Sequence, residues 1–335
     1  MAGKIHTRLL ILSDTHGEDF GSEDRPQQRV DVALHCGDLT DGSKLEEFRT
    51  SIEMLKKIDA PLKLVIAGNH DFAMDITAFE SKLAEASQPL DPEIVAREYG
   101  TLGQARQLFE DARSEGIVFL VEGTHRFTLE NGAMLKVYAS PYTPALGAWG
   151  FQYHPNNGRR FDIEEDTDVV MTHGPPKGIM DMTHGRERAG CPDLFTAVAH
   201  ARPRVHCFGH IHEGWGAKVV TWKDSGFDQP SHFTSIDNEN SPVVEKLATL
   251  RVTTFDSDET IQEKRAKLEQ LKNNKCATTS HCSQDDYELG AGKETLFVNA
   301  SIVGHEGFVQ RPWLVDLELA KHTALKMRPF VQNLC

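Results

Sequence analysis

The chain has 335 residues and a net charge of −14, with 39% hydrophobic and 26% charged residues. That is the composition of a folded chain with a sizeable core, and no apolar run approaches the ~20 residues of a transmembrane helix. The acidic balance excludes generic binding to nucleic acid or to an anionic membrane, which depends on excess Lys and Arg.

The first apolar stretch is too short for a signal peptide, so a cytoplasmic protein is expected. Residues 8–12 and 30–36 are brief Val/Ile/Leu runs that read as buried strands. Residues 43–58 place Leu45, Phe48, Ile52 and Leu55 on one helical face, with Ser43 and Glu46 in the form of a capping box. A third strand at 62–67 completes a βαβ unit, which predicts a parallel sheet covered by helices. Residues 72–113 are polar and partly helical in pattern and read as an insertion. Strands are expected at 117–120, 126–129 and 134–139, the last two forming a hairpin across Glu130-Asn131-Gly132. A strand at 168–172, a helix at 193–201 and a strand at 205–208 come next, then strands at 217–222, 296–302 and 314–319. Residues 223–294 are polar and charge-mixed and read as a second insertion, partly unstructured in pattern. The expectation is one domain over 1–335, built as two packed sheets with helices outside.

Some residue types invite a functional reading that their context does not support. Cys36 and Cys207 lie in apolar runs and read as small buried hydrophobes of a reducing compartment. Cys276 and Cys282 flank His281 at a spacing too loose for zinc, so that segment reads as a polar loop. His35 and His206 read as core histidines, Arg186 and Arg188 as a solvated loop, and Tyr142 and Trp149 as loop packing or a stacking platform.

The informative pattern lies at the carboxyl end of five buried runs. The residues there are Ser13-Asp14-Thr15-His16-Gly17, Gly37-Asp38, Gly68-Asn69-His70-Asp71, His173-Gly174-Pro175-Pro176 and Gly209-His210-Ile211-His212. Ligands of open α/β sheets collect outside the carboxyl ends of strands. Each motif alone is weak, but all five at one topological position are not a chance arrangement. Carboxylate, amide and imidazole donors without thiolate suit borderline divalent metals such as Mn, Fe, Zn, Co or Ni. Seven ligands are too many for one tetrahedral ion and suit two ions sharing a carboxylate, a centre that attracts an anion and clamps a displacement at phosphorus.

In this order, D-x-H, G-D, G-N-H-[DE], a lone His and G-H-x-H, the motifs resemble those of calcineurin-like metallophosphoesterases. Thr172-His173-Gly174-Pro175-Pro176, Gly209 to Gly216 and Phe297-Val298-Asn299-Ala300-Ser301 look closest to the metallophosphoesterase-domain-containing subgroup. The resemblance implies the four-layer α/β/β/α sandwich, two mixed sheets flanked by helices. It implies two transition-metal ions (Mn, Fe or Zn), one on Asp14, His16 and His212, the other on Asn69, His173 and His210, with Asp38 bridging. His70 would serve catalysis, oriented by Asp71. The implied activity is phosphoester hydrolysis by in-line attack of a hydroxide held between the ions.

Protein phosphatases of this superfamily carry Arg where this chain has Gly42, and purple acid phosphatases a metal-bound Tyr where it has Asp41. Without the Arg, a monoanionic diester is the more natural substrate. The expected partner is a small phosphate ester, a nucleotide among the candidates. Phosphomonoester or pyrophosphate hydrolysis, and an inactive scaffold of the same fold, are the alternatives.

Overall fold

A computed structural model describes residues 3–322 apart from 87–89, 146, 225–228, 305–306 and 309. The first sheet is built on β1 (Lys4–Leu12), β2 (Val32–His35), β3 (Leu62–Val65) and β4 (Ile117–Phe119), all parallel in that order. The second begins with β5 (Gly123–Thr128) and β6 (Met134–Ser140), the expected hairpin, with Thr128 opposite Met134. It continues through β7 (Val169–Thr172), β8 (Val205–Phe208) and β9 (Gly216–Trp222), with β10 (Ile236–Asp237) and β11 (Val243–Lys246) both paired to β9. After β12 (Ala277–Ser280) come β13 (Glu294–Asn299) and β14 (Trp313–Ala320). The orders are β12-β14-β1-β2-β3-β4 and β10-β9-β13-β8-β7-β6-β5.

Alternation along the strands explains the layers. In β1, Leu9 and Ile11, with Leu34 of β2, face the other sheet, where they join Val137, Met171, Cys207 and Val298 in one inter-sheet core. Leu10 and Leu12 face outward, under Phe48, Ile52 and Phe109. The second sheet does the same with Val170, Phe208 and Phe297 beneath Leu194, Phe195 and Val198. Both faces of each sheet are covered, so the central strands read as unbroken apolar runs. The four-layer α/β/β/α architecture is therefore as expected, and β1 extends four residues before the predicted run. Its N-terminal half pairs antiparallel with β14 (Lys4 opposite Ala320) and leaves alternate side chains in solvent, which hides it from an apolar-run reading.

Three sequence expectations differ from the structure. Helix α1 (Leu45–Lys56) is capped one residue later than predicted: Glu47 accepts from the Lys44 N–H at 2.8 Å, while Ser43 stands at φ 61 and accepts from the Ala73 N–H at 2.7 Å. Residues 72–113, read as a polar, partly helical insertion over or beside the core, contribute side chains to that core. They form α2 (Ile76–Ala84), α3 (Pro92–Tyr99) and α4 (Gln104–Asp111), which bury Phe79, Ala105 and Phe109 against the first sheet. Residues 223–294 hold α6 (Leu247–Leu250) and α7 (Asp258–Asn274), after α5 (Pro192–Ala201), and give edge strands to both sheets. The supposed loop around Cys276 is thus β12, parallel to β14, and both ring nitrogens of His281 are engaged by Thr279 and Tyr287. Short edge strands carry few apolar residues, so their period is weak. Cys36, Cys191, Cys207 and Cys276 are free and buried, and no described helix is long and apolar enough to cross a membrane.

Trp215 joins the two sheets just beyond the turn that carries His212. It is buried, lies 5.2 Å from Trp313 between ring centroids, and donates from Nε1 to the Arg311 carbonyl at 2.8 Å. Trp215→Ala is expected to cost about 3–5 kcal/mol, the range for large aromatic truncation. Urea unfolding measures it, and a loss below ~1 kcal/mol would show that the contact does not hold the sheets together.

Candidate metal centre

The five motif loops meet at the carboxyl ends of β1, β2, β3, β7 and β8, and the backbone locks them together. Asp14, His16 and Gly17 donate N–H bonds to the carbonyls of Gly37, Asp38 and Leu39 at 2.9, 3.1 and 2.7 Å, extending the β1–β2 register into the loops. Gly209 N–H bonds the His173 carbonyl at 2.9 Å and so ties the fourth loop to the fifth. Buried His35 spans the first two loops, bonding Thr15 Oγ1 at 3.0 Å and accepting the Gly37 N–H at 3.3 Å. Burial pushes its pKa down to about 4, so it serves as a neutral strut.

Asp14, His16, Asp38 and His210 all have left-handed backbones, with φ of 57, 48, 52 and 67. Such φ values are uncommon outside glycine and cluster where the surrounding structure forces them, as at ligand sites. Room at the centre is equally tight. A Cβ on Gly68 would collide with Asp38 and His173, and one on Gly209 with Asp14 and Ser13.

These turns bring the side chains into two groups. In one, His212 Nε2 lies 3.4 Å from His16 Nε2 and 3.4 Å from Asp14 Oδ1. In the other, His173 Nε2 lies 3.0 Å from Asn69 Oδ1 and 3.3 Å from Asp38 Oδ1, with the His210 ring 4.9 Å from that of His173. The second Asp38 oxygen points the opposite way, 4.0 Å from His16 Nε2. Donor atoms of Asp14/His16/His212, of Asp38/His173/His210 and of His16/Asp38/His70 lie within 4.8 Å of one another in each set.

These residues fit metal ions. Two ligands roughly 2.1 Å from one ion, at angles near 90–110°, stand roughly 3.0–3.4 Å apart, which is the spacing found here. Two imidazole Nε2 atoms facing each other gain nothing as a pair of lone pairs, but both can point at a shared cation. His173 bonds the Cys36 carbonyl through Nδ1 at 3.0 Å, which selects the tautomer with a free Nε2 lone pair.

Electrostatics follow from burial and pairing. Burial opposes charge on Asp38, but His173 prevails and holds its pKa at about 2. Burial opposes charge on His173 as well, yet Asp38 raises it to about 9. Burial, helped by His173, drives His210 down to about 4. Asp14 stays well below the carboxylate range: burial works against it, and His212 outweighs burial.

His70 and Asp71 differ from expectation. Asp71 does not orient the His70 ring. Its buried carboxylate accepts from the N–H groups of Gly68, Leu39 and Thr40 and from the Thr40 hydroxyl, at 2.8–3.1 Å, pinning the second loop to the third. Being adjacent in sequence does not aim a carboxylate at its neighbour's ring when four donors claim it first. Burial and the charge of Asp38 push its pKa up to about 7 against those donors. His70 instead donates from Nδ1 to the Asp41 carbonyl at 2.6 Å, and Trp149 stacks on its ring at 4.4 Å. Trp149 is in turn covered by Lys82 of α2 at 4.3 Å.

Neither arginine of the 183–188 loop is among the described residues lining the cleft. Arg188 bonds Asp181 at 2.8 Å, whereas His184 of that loop lines the cleft. Sequence reasoning also missed Asn299 and Gln310, which donate to the carbonyls of Ile211 at 2.9 Å and His212 at 3.2 Å and so steady the last motif. The Phe297-to-Ser301 stretch was the available signal for Asn299.

The model of the calcineurin-like phosphoesterase family matches residues 7–214. This chain belongs to that family. Its metal-dependent members hydrolyse phosphoesters, in keeping with the candidate His/Asp clusters. Relatives include human metallophosphoesterase domain-containing protein 1, 30% identical across 63% of this chain and 62% of that protein. A UPF0046 protein of Caenorhabditis elegans is 30% identical, across 63% of this chain and 52% of its own. A probable rhamnogalacturonate lyase C of Emericella nidulans is 33% identical, across 64% of this chain but 18% of its own length. The matched region thus spans less than two thirds of each relative. Among solved structures, a purple acid phosphatase of Lupinus luteus aligns over 89% of this chain and 44% of its own, at 9% identity and a TM-score of 0.37.

In the metal-free protein His173 carries a proton at neutral pH, because its pKa lies near 9, whereas His210 does not. An ion taking the His173 lone pair must expel that proton, so affinity should rise with pH up to about 9. Calorimetric titration with Mn²⁺ or Zn²⁺ at pH 7.5, in two buffers of different ionisation enthalpy, is expected to report about one proton released per chain. Zero release, or affinity that improves on acidification, contradicts the assignment of His173.

Proposed function

We propose that this chain is a phosphodiesterase using two divalent ions, one held by Asp14, His16 and His212 and the other by Asn69, His173 and His210, with Asp38 shared. The observation carrying the reading is that the two Asp38 oxygens face different donor sets, at 3.3 Å and 4.0 Å from the nearest imidazole nitrogens. Bound there, the ions would make water nucleophilic near neutral pH and neutralise phosphoryl oxygens. His70, with Nδ1 committed to the Asp41 carbonyl, keeps Nε2 for a proton at the departing alkoxide. Trp149 and the Asp41 carbonyl hold the ring in place against rotation.

Charge favours a diester. The cleft beside the centre is lined by Glu18, Asp41, Glu47 and Glu213, with Arg251 the only Arg or Lys among the described lining residues. A dianionic monoester would meet those carboxylates with little beyond the metals to neutralise it, whereas a monoanionic diester needs less compensation.

With Mn²⁺ supplied, steady-state rates on an aryl diester are expected to exceed those on the matching aryl monoester by roughly tenfold in kcat/KM, about 1.4 kcal/mol of discrimination. Monoester preference would overturn the diesterase reading, and no turnover of either ester would remove hydrolysis altogether. His70→Asn should keep its metals by elemental analysis while slowing esters with poor leaving groups by ~10²-fold. Parallel loss of metal and activity would make His70 a ligand, as its place within the His16/Asp38/His70 set allows.

A further inference from the structure

The cleft is far larger than a phosphoryl group requires. It spans about 1160 Å³ and is lined by Asp38, Asn69, His210 and His212 together with Leu247, Leu250, Val252 and Leu268. A separate, smaller recess of about 190 Å³ shares Leu247, Leu250 and Leu268 with it and is also lined by Trp215 and Leu271. The apolar lining belongs to α6, the adjoining residues and α7, within the stretch whose sequence read as a polar insertion. It is tied to the metal-ligand turn: the Leu247 N–H donates to the Trp215 carbonyl at 3.0 Å, and the Trp215 N–H to the His212 carbonyl at 3.3 Å. Lys264 fastens α7 beneath it, bonding the Arg251 carbonyl at 2.9 Å and pairing with Asp256 at 2.7 Å, and Lys267 pairs with Glu245.

Val252 and Leu268 remain 47% and 42% exposed although the wall is braced on both sides. Apolar side chains left open at the mouth of a site gain by covering apolar ligand surface. The composition also selects among ligands. No Phe, Tyr or Trp is among the described residues lining the large cleft, so the stacking surface it offers a nucleobase is confined to imidazole rings. The surrounding carboxylates oppose a second phosphate. Pockets of roughly 300–1,000 Å³ accommodate ligands of drug size, so the volume admits an extended organic group.

Building on the phosphodiesterase reading, we infer that this wall binds the aliphatic alcohol of the substrate, which makes the substrate class phosphodiesters with an alkyl-type group next to the reacting phosphorus. The test holds the chemistry constant and varies only that group. Wild-type enzyme with Mn²⁺ is given p-nitrophenyl methyl phosphate and p-nitrophenyl octyl phosphate below micellar concentration. The octyl ester is expected to have a kcat/KM higher by ~10-fold or more, mostly through KM, since each methylene placed against apolar surface contributes. A ratio near one or below overturns the inference while leaving the phosphodiesterase reading standing. Absence of turnover with both esters overturns the phosphodiesterase reading itself. The double variant Val252→Gln/Leu268→Gln, at two exposed positions, should bring the octyl-to-methyl ratio below about threefold, and an unchanged ratio shows that the wall is not the site. The wild-type ratio needs no variant, so the inference is testable even if that protein fails to fold.

Discussion

A buried carboxylate with its two oxygens turned toward two different sets of nitrogen and oxygen donors is the constraint around which this molecule is arranged. Asp38 can be reached from both sides only if the loops after β1, β2, β3, β7 and β8 crowd one point, and each feature of those loops serves that crowding. Gly68 and Gly209 supply the missing Cβ volume where Asp38 and Asp14 pass. Asp71 gathers backbone donors from two loops, so the segment bearing Asp38 and the segment bearing Asn69 move as one. The charge is managed in the same way. A buried carboxylate needs a positive partner, and in the metal-free protein the proton on His173 supplies it.

Holding four non-glycine residues at positive φ is costly, on the order of 1–3 kcal/mol each at the upper range for such strain. The frame that absorbs this is the doubly covered pair of sheets, whose inter-sheet core runs from Ile11 and Leu34 to Cys207 and Val298, all fully buried. Where the strands that end in motif residues approach the centre, their side chains are buried on both faces. Their rigidity lets loops, otherwise the adaptable part of a fold, keep side chains in place to within a few tenths of an ångström.

How much of this was legible in the sequence depends on which forces leave a local trace. Buried strands do so: β2, β3, β7 and β8 are largely apolar runs, broken chiefly by buried Lys63, His35 and His206, and the motif residues come soon after each. The candidate metal ligands could be picked out because they recur at one position relative to those runs. Contacts between distant segments leave no such trace. Asp71 sits next to His70 in the chain, but its oxygens are claimed by Leu39 and Thr40, some thirty residues away. Ser43 lost its capping role for the same reason, since the Ala73 N–H claims its hydroxyl. Residues 223–294 read as a polar insertion because edge strands and α7 bury little of their own surface. Leu250, Cys276 and Leu289 are spaced too widely to show a period, although all three are buried.

That stretch also alters what the chain's acidity means. Carboxylates around a centre that binds phosphate look self-defeating, since at the cleft they repel the anion the metals attract. Repulsion grows with the ligand's charge, however, while the two metal ions of the proposed centre would already compensate a single negative charge well. Glu18, Asp41, Glu47 and Glu213 therefore act less on a monoanionic diester than on any more highly charged competitor. What the site gives up in electrostatic attraction it can recover through the aliphatic wall of the same cleft, where affinity depends on area covered and not on charge. In the proposed reading, rejection by the carboxylates and retention by the wall would act on different parts of one ligand. Under the proposed reading, selectivity arises from their combination, with the metals responsible for the reaction and contributing little to the choice among diesters.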